Sequence, residues 1–178
     1  MKTCKKLTIF EGPDGSGKTT AAKTYAELAG AHYVHFPAYP EVTNLARLYV
    51  EGMMPALLGH RDVIFDRSWL SEMPYAMVYR SGKNRVPMPI KRMLERIAMR
   101  CETTVVLCMP PVDVCVKTFE KRKGAEMLDS VEQLRQVHTL YDLQSTSLPV
   151  VHHDYTDKSP TPPIQRTQPM DRISSTRS

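Results

Sequence analysis

Short apolar runs alternate along the chain with longer amphipathic segments. Leu7-Thr8-Ile9-Phe10, Tyr33–Phe36, Val63-Ile64-Phe65, Thr103–Met109 and Leu148–His152 are too short for helices and rich in β-branched or aromatic residues. They predict buried strands. Between them the spacing predicts helices over Ala21–Leu28, closed by Gly30, and over 43–58, broken near Gly52. Further helices are expected over Ser68–Tyr79, interrupted early by Pro74, and over Pro89–Arg100. The latter places Ile90, Met93, Leu94, Ile97 and Ala98 on one face. Val112–Lys121, after Pro110-Pro111, and Ser130–Leu143 complete the set. Apolar strands alternating with helices predict a parallel sheet of five strands covered on both faces.

The pattern changes after residue 156. Residues 157–178 hold four prolines, four serines and three threonines, with Lys158, Arg166, Arg172 and Arg177 against Asp157 and Asp171. Such a composition buries too little apolar surface to offset its ordering entropy. The expected organisation is therefore one domain over 1–156 and a disordered basic tail over 157–178.

Composition adds exclusions. At 178 residues, with 42% hydrophobic and 24% charged residues, the chain can bury a core without staples. No apolar run approaches the roughly 18 residues that span a bilayer. The apolar stretch after Lys5-Lys6 ends at Phe10, too soon for a secretion signal. Cys4, Cys101, Cys108 and Cys115 form no metal-binding spacing and read as reduced thiols of a cytoplasmic protein. The net charge of +5 permits a polyanionic partner without demanding one. A homodimer is compatible with all of this.

The chemistry starts where the first strand ends. Gly12-Pro13-Asp14-Gly15-Ser16-Gly17-Lys18-Thr19 matches the phosphate-loop pattern in full, and Thr20 follows it. Its glycines permit turns in which backbone N–H groups converge on phosphate oxygens at a helix N-terminus. Lys18 is expected to reach the β- and γ-phosphates of ATP, and Thr19 to offer a hydroxyl to Mg2+. The domain is thus expected to be a three-layer α/β P-loop NTPase. No NKxD motif for guanine is found, which argues against a GTPase. The third strand ends in Asp66-Arg67-Ser68 rather than in adjacent acids, which argues against a motor ATPase. An acid followed by arginine suits phosphoryl transfer. Asp66 can orient Mg2+ or take a proton, and Arg67 can neutralise transferring charge.

These motifs resemble the thymidylate kinase family over roughly residues 5–156. Glu11-Gly12-Pro13-Asp14 resembles the family's opening, Phe36-Pro37 its FP pair, and Asp66-Arg67-Ser68-Trp69-Leu70-Ser71 its DR motif with the downstream serine. The resemblance implies acceptor contacts from Asp14, Phe36, Arg67, Ser71 and Tyr75. It implies metal contacts from Thr19 and Asp66. Glu120-Lys121-Arg122-Lys123-Gly124 resembles the lid, from which Arg122 would act on the transferring phosphate. A solvated helix end is the plainer account of the same residues.

Departures from the family narrow the acceptor. Ala38 and Tyr39 stand where dTMP kinases follow the FP pair with an arginine for the monophosphate. The 28 residues from 38 to 65 leave no room for the family's full thymine-gripping helix. Asp66-Arg67-Ser68 resembles the acid-Arg-Ser motif of deoxynucleoside kinases, whose acceptor is a hydroxyl. Glu41 lies where those enzymes place a base. Compact bacteriophage relatives phosphorylate the hydroxymethyl group of 5-hydroxymethyluracil within DNA, and the resemblance extends to them. In such an enzyme Arg80, Lys83, Arg85 and the arginines of the tail are candidate groups for the DNA backbone. The expected activity is transfer of the ATP γ-phosphoryl to a pyrimidine deoxynucleotide unit, with the DNA base placed first. A dTMP or other deoxynucleoside monophosphate kinase, a deoxynucleoside kinase and a non-catalytic ATP-binding protein are the alternatives.

Overall fold

The protein's structure, a computed structural model, describes residues 3–37, 44–122 and 128–157. Its elements run β1 (Lys6–Glu11), α1 (Lys18–Ala29), β2 (His32–His35), α2 (Leu45–Leu57) and β3 (Val63–Asp66). A single 3-10 turn at Trp69–Ser71 leads into α3 (Glu72–Tyr79). Then come α4 (Met88–Ala98), β4 (Glu102–Cys108), α5 (Val112–Lys121), α6 (Val131–Asp142) and β5 (Val150–His153). The five strands form one sheet in the order β2-β3-β1-β4-β5, and every pairing is parallel. The expected α/β architecture is the observed one.

Strand periodicity divides the core. Leu7 and Ile9 of β1, Val63 and Phe65 of β3 and Val105 of β4 point to one face. There they meet Tyr49, Met53 and Ala56 of α2 and Leu94 and Ala98 of α4. The alternate residues Phe10, Ile64 and Val106 point the other way, onto Ala22 and Ala26 of α1. Tyr75, Cys115, Phe119, Leu134, Val137 and Tyr141 join α3, α5 and α6 in a further cluster. Leu107 and Met109, at the C-terminal end of β4, pack against it. The helices that wall the site are therefore anchored at the strand ends that present it.

Two expectations about helix breaks need correction. Helix α2 is continuous through both Gly52 and Pro55. A Cβ at Gly52 would come within 3.0 Å of the rings of Phe36 and Phe65. The glycine is thus there for close approach of α2 to the aromatic core. Pro74 does not interrupt a helix either, because it sits in the first turn of α3, where no intrahelical N–H bond is lost. On α4, Leu94 and Ala98 are buried as expected, whereas Met93 is 40% exposed. The four cysteines are free thiols, with Cys101, Cys108 and Cys115 buried. No helix among the described residues is long and apolar enough to cross a membrane. Ala38, Tyr39, Glu41, Lys123 and the tail from Lys158 lie outside the described residues. Asp157 is within them, its N–H donating to the Asp154 carbonyl at 3.2 Å.

Candidate active site

The loop from Gly12 to Gly17 crosses from the central strand β1 to the start of α1. Gly12 and Gly15 have φ of 147° and 75°. A Cβ at Gly12 would sit 2.3 Å from the Cys108 carbonyl oxygen, and one at Gly15 would sit 2.5 Å from that of Cys115. The loop is wedged between the end of β4 and helix α5, and only glycine fits at both points. Lys18 is buried, and its Nζ donates to the Pro13 carbonyl at 3.1 Å. Burial, and then the neighbouring Arg67, lower the Lys18 pKa. Ser16 is also buried, and its hydroxyl has no protein partner.

Arg67 stands at the end of β3 with φ of 73°, unusual for a residue with a side chain. Its backbone N–H donates to the Phe10 carbonyl at 3.0 Å, which ties this turn to β1. The guanidinium lies 5.0 Å from the centroid of the Tyr75 ring and donates to Asp14 Oδ1. Asp14 also has Lys18 Nζ at 3.8 Å. Burial opposes ionisation of this carboxyl, but Arg67 and Lys18 outweigh it and hold its pKa below the usual value. Asp14 Oδ2 is buried without a hydrogen-bond partner.

Beneath this pair Glu11 organises a buried network. Its Oε1 accepts from the Ser68 hydroxyl at 2.7 Å. Its Oε2 accepts from Ser71 at 2.7 Å and from Tyr141 at 3.0 Å. The Tyr141 hydroxyl also lies 2.8 Å from Ser71 Oγ. Burial pushes the Glu11 pKa up, against these hydroxyls and Arg67. β1, the 3-10 turn and α6 are thus joined under the loop. Ser68 and Ser71 line the cavity while spending their protons on Glu11.

The cavity above has a volume of about 280 Å³. Gly15, Lys18 and Thr19 line its phosphate-loop end. Phe36, Tyr49 and Tyr75 supply aromatic walls, and Arg122 at the end of α5 also lines it. The structure thus brings Asp14, Lys18, Thr19, Phe36, Arg67, Ser71, Tyr75 and Arg122 to one cavity, all of them expected from sequence.

Two expectations change. Arg80 and Arg85, expected as candidate groups for a DNA backbone, are half-buried and line the cavity wall. Both are clamped by Glu72: Arg85 Nε and Nη2 donate to its two carboxylate oxygens at 3.0 and 2.8 Å, and Arg80 Nη2 donates at 2.8 Å. Lys83 alone of that trio is exposed. Asp66, expected to hold the metal, is fully buried and is not among the cavity-lining residues. Its Oδ2 accepts from the Tyr33 hydroxyl at 2.7 Å and lies 2.9 Å from His35 Nδ1, while Oδ1 has no partner. Parallel register puts His35 beside Asp66, so β2 takes up this carboxylate.

Sequence reasoning missed Glu11 as a network centre, Glu72 as a clamp and His35 and Tyr49 as cavity residues. Glu11 carried a signal, as an acid directly after an apolar strand. His35 was hidden by register, which no local pattern reveals.

The all-parallel sheet and its phosphate cradle define the fold of a P-loop kinase. Within that class the architecture is thymidylate-kinase-like. The chain is 25% identical to a thymidylate kinase of Leptospira interrogans over 173 aligned residues, covering 80% of this chain and 83% of that protein. No family model matches the sequence. Among solved structures, YorR of Bacillus subtilis in complex with phosphorylated GDP superposes with a TM-score of 0.66 at 19% identity, over 83% of this chain and 85% of that one. Deoxyadenosine kinase of M. mycoides with bound dATP gives 0.52 at 17% identity, over 84% and 90%.

Proposed function

We propose that this protein is an ATP-dependent kinase that phosphorylates a hydroxyl on a pyrimidine deoxynucleotide unit. The acceptor we favour is the hydroxymethyl group of 5-hydroxymethyluracil in DNA. The observation that carries this reading is how the cavity's arginines are paired. Arg67 is paired with Asp14, and Arg80 and Arg85 share Glu72. A pocket for an acceptor monophosphate needs cationic donors aimed at it. Here Glu72 already holds Arg80 and Arg85, which suits an acceptor without a phosphate of its own at the reacting end. The aromatic residues Phe36, Tyr49 and Tyr75 offer surfaces for a base.

In this reading the loop amides and Lys18 hold the ATP phosphates, and Arg67 and Arg122 neutralise charge as the phosphoryl group moves. The residues fit a magnesium nucleotide: Thr19 lines the cavity, and the buried Asp14 Oδ2 and Ser16 Oγ lack protein partners. Thr19 would hold Mg2+, whose bound charge offsets that of the phosphates. Catalysis is then mainly positioning and charge neutralisation.

The likeness to a thymidylate kinase favours a second reading, transfer to the phosphate of dTMP. Labelled ATP offered in parallel with dTMP, thymidine, 5-hydroxymethyldeoxyuridine and DNA containing 5-hydroxymethyluracil separates the two. Label that stays with the polymer, above transfer to dTMP at equal base concentration, is the expected result. Efficient dTMP phosphorylation with unlabelled DNA would replace the first reading with the second.

A further inference from the structure

Helix α4 begins at Met88, shortly after the cavity-lining Arg85, and leads to the start of β4 at the other end of the sheet. It carries a row of cations. Arg92 and Arg96 lie one turn apart, and Arg100 follows in the turn that closes the helix, where the Met99 N–H still donates to the Glu95 carbonyl at 2.8 Å. All three arginines are exposed, and their side chains make no ion pair or hydrogen bond among the described residues. With Pro89, Met93 and Ile97 they line a surface groove of about 490 Å³ that shares no residue with the cavity above. The carboxylate of this helix does not offset them. Glu95 is buried and accepts from the Thr146 and Ser147 hydroxyls at 2.7 and 2.6 Å, with Lys91 Nζ at 4.0 Å. Like charges one turn apart weaken a helix. The helix dipole compensates cations near the C-terminus, which accounts for Arg96 and Arg100 but not for Arg92.

We propose that Arg92, Arg96 and Arg100 bind the phosphate backbone of the acceptor DNA. The inference rests on the DNA-acceptor reading above and deepens it. From Arg92 to Arg100 the helical rise covers about 12 Å, a length over which one DNA strand carries roughly three or four phosphates. The row thus supplies a cation for nearly every phosphate along it, and the planar guanidinium fork suits phosphate oxygens. Its place suits an acceptor held in a polymer. A base in the cavity leaves its neighbouring nucleotides at the mouth. No more than about 11 Å of chain separates Arg85, in the cavity wall, from the first residue of α4. Lys83, exposed in the loop before Arg85, adds a further cation there. A second copy of the chain seated on this face about a two-fold axis would set the two arginine rows against each other. The charge therefore favours a linear polyanion over a homodimer contact.

The experiment compares the full-length wild type with three triple variants. Arg92→Gln/Arg96→Gln/Arg100→Gln removes the row, and Arg92→Lys/Arg96→Lys/Arg100→Lys keeps its charge. Lys23→Gln/Arg61→Gln/Lys117→Gln removes three exposed cations elsewhere as a control. Binding to duplex DNA containing 5-hydroxymethyluracil is titrated over a salt series, beside label transfer to the same DNA. The α4 glutamine variant is expected to bind at least about 10-fold more weakly at low salt and to flatten the slope of log K against log salt by about 2 to 3. Its KM for DNA should rise, while kcat at saturating DNA, ATP binding and the melting temperature stay as in the wild type, since all three positions are exposed. The lysine variant should keep most of the affinity, and the control variant should keep the slope. A wild-type slope in the α4 glutamine variant, or an equal loss in the control, would overturn the assignment while leaving the DNA-acceptor reading in place. Polyglutamate that competes as well as DNA of equal charge would give the row to an acidic protein and overturn it too. A wild type that phosphorylates only dTMP, yet loses DNA affinity with these arginines, would keep the surface and remove the acceptor reading.

Discussion

Arg67 and Asp14 form an ion pair across 53 residues of sequence, at the point where the phosphate loop meets the end of β3. Asp14 is buried, Arg67 is half-buried, and Tyr75 lies beneath the guanidinium. Arg67 accepts a left-handed backbone to reach this place. Strain of that kind costs on the order of 1–3 kcal/mol and persists only where surrounding structure enforces it. Here the backbone bond to Phe10 and the pairing with Asp14 enforce it.

Arg67→Ala is expected to lower kcat and kcat/KM together, by about 100- to 1000-fold, because its charge matters most as phosphate transfers. Steady-state kinetics over an ATP series checks this. A rise confined to the KM for ATP would mean that Arg67 serves ground-state binding of the donor.

Lys18→Ala should abolish phosphoryl transfer, with a loss of at least about 100-fold. The fold should survive, since Lys18 packs into the ligand cavity and its pKa is lowered by burial. Circular dichroism and a melting curve close to those of the wild type, beside absent turnover, are the expected pair of results.

Glu11→Gln should stabilise the protein increasingly as pH rises. Burial raises the Glu11 pKa above its ordinary 4.5, so the folded state binds more protons than the unfolded state above that value. Stability therefore falls as pH climbs from the unfolded value through the raised folded one. Gln cannot ionise and escapes this loss. The difference in melting temperature between variant and wild type should grow from pH 4 to pH 7. A difference independent of pH would show that Glu11 does not titrate in this way.

Gly52→Ala should destabilise the chain by about 1–3 kcal/mol, the usual effect of overpacking. The new methyl would press on the rings of Phe36 and Phe65. Because Phe36 also lines the cavity, the KM for the acceptor should rise in the same variant. Denaturant unfolding and acceptor titration test both parts.

A chain ending at Asp157 should melt within a degree or two of the full protein. Its missing residues hold too few large apolar side chains to contribute a packed surface. A large drop would place the tail against the domain.

Much of this molecule was legible in the sequence because its signals are local. Strand and helix periods follow from side-chain alternation, and the phosphate loop follows from contiguous residues whose backbone must turn tightly. Lys18 and Thr19 could therefore be named from the chain itself, Arg67 from the acid-arginine pair at a strand end, and Asp14 from the resemblance to the thymidylate kinase family. The alternation of apolar strands with helices also foretold the parallel sheet. What the tertiary structure decided is which charges meet. Glu72 captures Arg80 and Arg85 only because the loop after α3 folds back on the start of that helix. Asp66 turns to His35 and Tyr33 rather than to the cavity because strand register sets β2 beside β3. Gly52 continues a helix because its missing side chain admits two aromatic rings. Partners brought together by pairing register and packing leave no periodic trace along the chain, since residues distant in sequence become neighbours only when the sheet closes.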